Sequence, residues 1–244
     1  MKFVSVFTGI GGLDLGLEQA GWECVYQIEN DPDCLHLLWN HFPKVPKSED
    51  VREVKVSDLP KCDALVGGFP CQDLSYAGYG KGLEGERSKL YWDYFNLLCL
   101  LRPRYAVIEN VSALLNRGGG AVLSSLASLG YDAEWQTLQA SDFGLPHRRK
   151  RLFIVAYSHS LVRSKCERLG AEQDREAEVF RGSGTECTSV RVSSADTSFG
   201  MDDGFSRELY QRGVPGIGNA VAVPVGRFVG EMINQHWQRL GGKQ

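Results

Sequence analysis

Over residues 1–157, short apolar runs rich in β-branched and aromatic residues alternate with amphipathic stretches of helical spacing. This alternation restricts the fold more than any other feature, because it is typical of βα units that build a mostly parallel sheet. We therefore predict a doubly wound α/β fold. Its strands are expected at residues 3–7, 24–29, 63–69, 105–110 and 151–157, and its first helices at 14–21 and 34–42.

The composition changes after Ser158, where residues 159–203 become dense in Ser, Arg, Glu, Gly and Thr. Few large apolar residues remain in this stretch, so we expect a small loop-rich insert with a weak core. A helical pattern returns at 225–237 and predicts a helix that packs on the main domain. The predicted organisation is a main domain at 1–157, an insert at 158–205 and a returning segment at 206–244.

Charge and cysteine content limit the classes of function. The 27 basic and 30 acidic residues give a formal net charge of -3, so any site for a polyanion must be local. The seven cysteines show no zinc-type spacing with histidine, which favours reduced thiols and no metal site. No apolar stretch approaches the roughly 18 residues of a membrane span, and no signal peptide is recognisable, so we expect a soluble cytoplasmic protein.

A glycine-rich turn joins the first predicted strand to the first predicted helix. In Phe7-Thr8-Gly9-Ile10-Gly11-Gly12-Leu13 the glycines permit close approach of a ligand, and the helix offers unpaired N–H groups. Glu29 follows about 20 residues later at a strand end, where a ribose-binding carboxylate belongs, and Asp50 could accept from an adenine amino group. The alternatives are a turn that merely allows tight packing and a solvated charge at Glu29. No GxxxxGK[ST] loop is present, which argues against an NTP enzyme.

Two strand ends carry candidate chemical groups. Cys71 lies in the sharp turn Gly67-Gly68-Phe69-Pro70-Cys71-Gln72, where open α/β sheets place reactive side chains. Glu109 follows the apolar run at 105–108, so both groups could face one crevice. The alternative for Cys71 is a small buried hydrophobe, and for Glu109 a partner of a helix amino terminus.

Five segments in this order resemble the cytosine-5 DNA methyltransferases: FTGIGGLDLGL, GGFPCQ, ENV, QASDFGLPHRRKRLFIVA and GIGNAVAVP. Each motif alone is weak, but their ordered occurrence is specific. The resemblance implies the sheet of S-adenosylmethionine-dependent methyltransferases, and it implies S-adenosyl-L-methionine as cofactor. The cofactor contacts it implies, together with the acids placed above, are Phe7, Gly9, Gly11, Gly12, Leu13, Glu29, Asp50, Pro70, Asn219 and Val221.

The resemblance also implies a covalent mechanism. Cys71 would add to carbon 6 of cytosine, which makes carbon 5 nucleophilic, and a protonated Glu109 would hydrogen-bond ring nitrogen 3. Arg151 would contact the cytosine carbonyl oxygen, and Arg149 would support the closing loop or the covalent intermediate. His147 stands where the family usually has Gln, which leaves its role open.

Duplex DNA is the implied substrate, and its target cytosine must swing out of the stack. Gln72 and the Gly-rich segment Ser75–Lys89 are expected to form a mobile loop that closes over this base, the alternative being an ordinary surface loop. Arg148 and Lys150 are expected to contact DNA phosphates. We expect a monomer, and the resemblance leaves open a companion restriction endonuclease.

Two other functions remain open from the sequence. The first is an RNA methyltransferase with the same cysteine chemistry, although no RNA-binding aromatic motif is apparent. The second is a DNA-binding relic that no longer turns over. The presence of Cys71, Glu109 and both arginines argues against a relic.

Overall fold

A computed structural model describes residues 1–70, 90–160 and 220–242. Its centre is one seven-stranded sheet with the strand order β3-β2-β1-β4-β5-β7-β6. The strands are β1 (Lys2–Val6), β2 (Glu23–Ile28), β3 (Lys47–Ser48), β4 (Ala64–Gly67), β5 (Tyr105–Asn110), β6 (Tyr131–Gln139) and β7 (Lys150–Ser158).

Helices connect these strands and cover both faces of the sheet. They are α1 (Gly12–Gln19), α2 (Pro32–His41), α3 (Leu90–Leu101), α4 (Leu114–Arg117), α5 (Gly119–Ser128) and α6 (Val223–Arg239). Local sequence explains where α2 begins, because the Asp31 side chain accepts from the N–H groups of Asp33 and Cys34 and Pro32 opens the helix.

The predicted fold class is confirmed. Strands β1 to β5 pair in parallel, which gives the mostly parallel sheet. The order changes direction at β1 and β4, which lie side by side although β2 and β3 separate them in the chain. Strand β7 runs antiparallel between β5 and β6, and β6 had no counterpart among the predicted strands.

Alternation along the central strands divides the core into two layers. Val4, Val6 and Leu65 face α3 and α5, whose tyrosines and leucines complete one apolar cluster. Phe3, Val66 and Val107 face the other side, where residues of α1 and α6 complete a second cluster. Because successive strand residues point to opposite faces, these fully apolar runs are the mark of strands buried on both sides.

Helix α6 packs back on the main domain as predicted. Val225 and Val229 lie in the same cluster as Leu13 and Leu17 of α1, so the end of the chain covers the first helix. Residues 161–219 lie outside the described part, so the boundaries of the predicted insert stay predictions. None of the helices described is both long and apolar enough to cross a membrane.

Candidate active site

Five strand ends bring those predicted site residues that the structure describes next to these strands to one edge of the sheet. The carboxyl ends of β1, β2, β4 and β5 meet there because these strands are parallel neighbours. Strand β7 is antiparallel to β5, so β7 begins at the same edge. The glycine turn, the residues after β4, the tip of β5 and the basic run before β7 therefore share this edge.

The glycine turn has the backbone of a ligand loop. Phe7 and Gly9 have φ angles of +56° and +58°, and the first of these is costly for a bulky side chain. A Cβ on Gly9 would meet no atom within 4 Å, so the turn is open on that side. Helix α1 begins at Gly12, and the first N–H groups of a helix have no partner within it.

Glu29 contacts this turn, and its predicted role as a ribose-binding carboxylate stays a prediction. Its Oε2 accepts from the Gly9 N–H at 2.6 Å, and its Oε1 accepts from the N–H groups of Asn30 and Asp31, both at 2.9 Å. The residue is only 8% exposed. The carboxylate thus links the end of β2 to the glycine turn, which disfavours the alternative of a solvated strand-end charge.

Asp50 is already engaged by a neighbour. Its Oδ1 accepts from both the backbone N–H and the Nε–H of Arg52 at 2.9 Å, and its Oδ2 accepts from Nη2 at 2.5 Å. These contacts lower the pKa of Asp50 to about 2. A ligand amino group would have to share this carboxylate with the guanidinium.

Three further residues that were predicted to contact the cofactor differ in which of their groups a ligand could reach. The Leu13 side chain lies in the apolar core, so Leu13 can offer a ligand only its backbone. Pro70 is half-buried just after β4. Val221 is 8% exposed and lines a small recess with Arg149 and Arg151, so it lies beside the basic run. The other lining residues are Leu138, Ala140, Ala222 and Val225.

Glu109 is a buried carboxyl at the tip of β5. It is 9% exposed, and its Oε1 lies 2.8 Å from Nε of Arg151. This contact is a close ion pair, although Oε1 has no well-aligned hydrogen bond among the residues described. Burial raises the pKa of Glu109 to about 6, against the opposing charges of Arg151 and Arg149.

The space around Glu109 depends on a glycine of the neighbouring strand end. A Cβ on Gly68 would lie 2.5 Å from Oε2 of Glu109, well inside van der Waals contact. Any other residue at this position would push the carboxyl away. Gly68, the second glycine of GGFPC, is therefore required for steric reasons, which the sequence alone did not reveal.

Strand register explains why arginines accompany Glu109. Glu109 pairs directly with Phe153 of β7, so Arg151, two residues earlier, lies on the same face of the sheet. Arg149 precedes β7, and its charge also acts on Glu109. Both arginines are partly buried, whereas Arg148 and Lys150 are exposed. The basic run thus contains two partly buried and two exposed side chains. His147 is exposed.

Asn110 is a site residue that sequence analysis did not single out. It is 2% exposed, its Nδ2 donates to the carbonyl of Phe69 at 3.1 Å, and its Oδ1 accepts from Val111 N–H at 2.9 Å. Asn110 thus ties the tip of β5 to the chain two residues before Cys71. A polar amide at the end of an apolar strand was the available signal.

The remaining predicted residues lie outside the described residues. They are Cys71, Gln72, Ser75 with the segment to Lys89, and Asn219. Their assignments stay predictions.

Comparisons with known proteins agree with the motifs. The family model for C-5 cytosine-specific DNA methylase matches residues 1–186. The type II methyltransferase M2.BsuMI of Bacillus subtilis is 42% identical over 164 residues, which cover 64% of this chain and 42% of that protein. For M.Bsp6I of a Bacillus species the identity is 37% over 164 residues, with 64% and 52% covered. The chain thus spans about half the length of the curated relatives it matches.

A solved structure supports the fold. The methyltransferase EhMeth of Entamoeba histolytica has a TM-score of 0.57 and 18% identity, with 64% of this chain and 52% of that chain covered. At this identity the likeness concerns the fold alone.

Proposed function

The chain belongs to the family of C-5 cytosine-specific DNA methylases, and on that basis we propose that it methylates carbon 5 of cytosine in duplex DNA. One observation carries the proposal beyond family membership. Glu109 is a buried carboxyl whose pKa is raised to about 6, and it stands beside the strand end that leads to Cys71. A carboxyl whose pKa is raised towards neutrality can supply a proton to the ring nitrogen of cytosine more readily than an ordinary glutamate.

The glycine turn fits S-adenosyl-L-methionine, which when bound supplies an electrophilic methyl group on a sulfonium. The open side of Gly9, the first N–H groups of α1 and the Glu29 carboxylate are suited to a nucleoside with a charged tail. We propose that Phe7, Gly11, Gly12 and the backbone of Leu13 complete this part of the site. The other proposed contacts are Asp50, Pro70, Asn219 and Val221.

Cys71 would solve the central chemical problem of the reaction. Carbon 5 of cytosine is a poor nucleophile, and addition of the Cys71 thiolate to carbon 6 shifts the electrons of the 5,6 double bond towards carbon 5. After carbon 5 has been methylated, loss of its proton restores the double bond and expels the thiolate. Cys71 is thereby regenerated.

Glu109 would stabilise the charge that this addition creates. Its proton, held through burial, can be donated to ring nitrogen 3 as electrons accumulate in the ring. We propose that Arg151 contacts the cytosine carbonyl oxygen while it holds the carboxyl in place, and that Arg149 supports the covalent intermediate. Arg151 shares the face of Glu109, and the charges of both arginines act on its carboxyl.

DNA must then approach the edge of the sheet that carries these groups. Arg148 and Lys150 are exposed and extend from the opposite face of the same short segment, where phosphates could reach them. Gln72 and Ser75 are proposed to contact the extruded nucleotide. Because the matched relatives are named as type II methyltransferases, a companion restriction endonuclease is also proposed.

Transfer of a tritiated methyl group from S-adenosyl-L-methionine tests this function. Duplex DNA and transfer RNA are offered separately to the full chain and to Cys71→Ser. We expect label in DNA with the unchanged chain and none with the variant. Label in transfer RNA alone, no label at all, or equal labelling by the variant would refute the proposal.

A further inference from the structure

A chain of buried polar side chains runs beneath the glycine turn. Asp14, in the first turn of α1, is 1% exposed, and its two nearest partners, Ser5 and Gln27, are 2% and 0% exposed. Ser5 Oγ donates to Asp14 Oδ1 at 2.7 Å, and Gln27 Nε2 donates to Asp14 Oδ2 at 2.8 Å. Ser5 and Gln27 are register partners on β1 and β2, so one carboxyl links α1 to two strands.

The same chain continues into the turn itself. Thr8 Oγ1 lies 3.1 Å from Ser5 Oγ and 3.3 Å from the carbonyl of Ile28, so its hydroxyl hydrogen can serve both. The carbonyl of Thr8 accepts from Gly11 N–H at 3.1 Å, directly before α1. The hydrogen-bonded path from Asp14 through Ser5 to Thr8 therefore ends on the backbone of the glycine turn, next to Gly9.

This arrangement has an energetic cost that packing alone would not incur. Burial raises the pKa of Asp14 to about 6, despite hydrogen bonds from Gln27 and Ser5. Apolar residues of similar volume avoid such a cost, because they have no polar or charged group to remove from water. Glu29 holds the turn from the other side through Gly9 N–H. The two acids thus fix adjacent residues of one turn.

We propose that Asp14 is a positioning residue for the cofactor: through Ser5 and Thr8 it holds the glycine turn in the conformation that receives S-adenosyl-L-methionine. This inference rests on the proposed function, because it assumes that the turn binds this molecule. Asp14 itself is buried behind the turn and does not touch the ligand. Its effect is on affinity for the cofactor rather than on the chemical step.

Substitutions at Asp14 separate positioning from simple packing. Asp14→Ala removes the acceptor of Ser5, and we expect the dissociation constant for S-adenosyl-L-methionine to rise about tenfold, the equivalent of one lost net hydrogen bond. Asp14→Asn should restore the constant to within about twofold of the unchanged chain. The asparagine Oδ1 can accept from Ser5, and once the Gln27 amide turns over, the asparagine Nδ2 can donate to Gln27 Oε1, a buried oxygen that has no hydrogen-bond partner among the described residues.

Isothermal titration calorimetry on the full chain measures these constants, and a thermal melt shows that each variant is folded. Glu53→Ala is the control, because it removes an exposed carboxylate that is not among the groups acting on Asp14. Thr8→Val is a second test that leaves the carboxyl intact and breaks the link at the turn. We expect it to raise the dissociation constant as well.

The outcomes distinguish this inference from the proposed function. Unchanged affinity in folded Asp14→Ala, or equal losses in Asp14→Ala and Asp14→Asn, would overturn the positioning role. If Asp14→Ala does not fold, unchanged affinity in Thr8→Val overturns it instead. If the unchanged chain does not bind S-adenosyl-L-methionine, the proposed function fails, and the inference fails with it.

Discussion

Arg151 and Glu109 form an ion pair with 2.8 Å between Nε and Oε1, across the ends of two antiparallel strands. Their side chains are 19% and 12% exposed. The guanidinium favours the ionised carboxylate, whereas burial favours the protonated form, and burial is the larger effect on the pKa. A proton donor for a bound base can therefore persist beside a permanent cation.

Replacing Glu109 by Gln should reduce methyl transfer without unfolding the protein. The amide can still donate a hydrogen bond but cannot transfer a proton, so we expect the single-turnover rate to fall about 100-fold or more. Circular dichroism checks the fold. The control is Glu53→Gln, which makes the same change of charge at an exposed acid. A rate near that of the control would remove Glu109 from the acid role.

The pH dependence of the rate should respond to Arg151. The protonated fraction of Glu109 decreases as the pH rises through its pKa of about 6, so this group contributes a fall in rate on the alkaline side. Arg151→Gln removes a nearby positive charge that lowers this pKa, and the fall should move to higher pH. A rate–pH profile measures the shift, and Lys150→Gln, exposed on the other face, should leave the profile in place.

Replacing Asn110 should lower both the stability of the protein and the reaction rate, because Asn110 holds the chain that leads to Cys71. Asn110→Ala leaves the Phe69 carbonyl and Val111 N–H without their side-chain partner, and we expect a loss of about 1–3 kcal/mol in the free energy of unfolding. The rate should fall about tenfold, since the chain before the nucleophile is less well held. Asn110→Asp keeps the acceptor for Val111 but replaces the donor to Phe69 by an oxygen and buries a carboxyl, so it should lower the rate at least as much as Asn110→Ala. Activity in this variant equal to that of the unchanged chain would show that the Phe69 contact has no role.

Asp14 should make stability depend on pH in a defined window. Its pKa is raised from 3.8 to about 6 in the folded chain, so the folded state binds more protons than the unfolded state between these values. Stability from this group is therefore present at low pH and is lost as the pH rises through about 6. Glu18, Cys24 and Lys47 are the ionisable groups that act on Asp14 from α1, β2 and β3.

Asp14→Asn removes this contribution and nothing else that titrates in the window. The free energy of unfolding of the variant, relative to the unchanged chain, should increase by about 2 kcal/mol between pH 4 and pH 8, at the rate of about 1.4 kcal/mol for each pKa unit. Urea titrations at both pH values measure it. A constant difference would show that Asp14 has an ordinary pKa.

DNA affinity should depend steeply on salt through the outer basic residues. Loss of one phosphate contact lowers the slope of log K against log salt by roughly one. We expect this change for Arg148→Ala and for Lys150→Ala, measured by fluorescence anisotropy with duplex DNA. A slope that stays the same in both variants would mean that phosphates bind elsewhere.

The apolar runs and their spacing were enough to predict the parallel core of the fold. Four predicted strands correspond to β1, β2, β4 and β5, and because parallel strands end at one edge, Glu109 and the glycine turn lie there. The predicted approach of Cys71 to Glu109 stays a prediction. Strand β6 was missed because its residues 132–137 are exposed or half-buried, so its sequence YDAEWQTLQ lacks the apolar pattern of a buried strand. Whether such a segment forms an edge strand depends more on pairing with its neighbour than on its own residues.

Side-chain partners across elements could not be predicted in the same way. The pairing of Arg151 with Glu109 depends on the antiparallel register of β7, and the meeting of Asp14 with Ser5 and Gln27 depends on how α1 lies on the sheet. The engagement of Asp50 by Arg52 is a local choice of rotamers. None of these follows from the spacing of residue types.

Covalent capture on DNA that contains 5-fluorocytosine tests most directly whether Cys71 attacks the base. Fluorine cannot leave carbon 5 as a proton does, so the reaction should stop after methylation with the sulfur still bound to carbon 6. We predict a denaturation-resistant complex of the full chain with this duplex DNA that forms only when S-adenosyl-L-methionine is added and whose mass includes one methyl group. Absence of the complex with the unchanged chain, or its formation with Cys71→Ser, would contradict the mechanism.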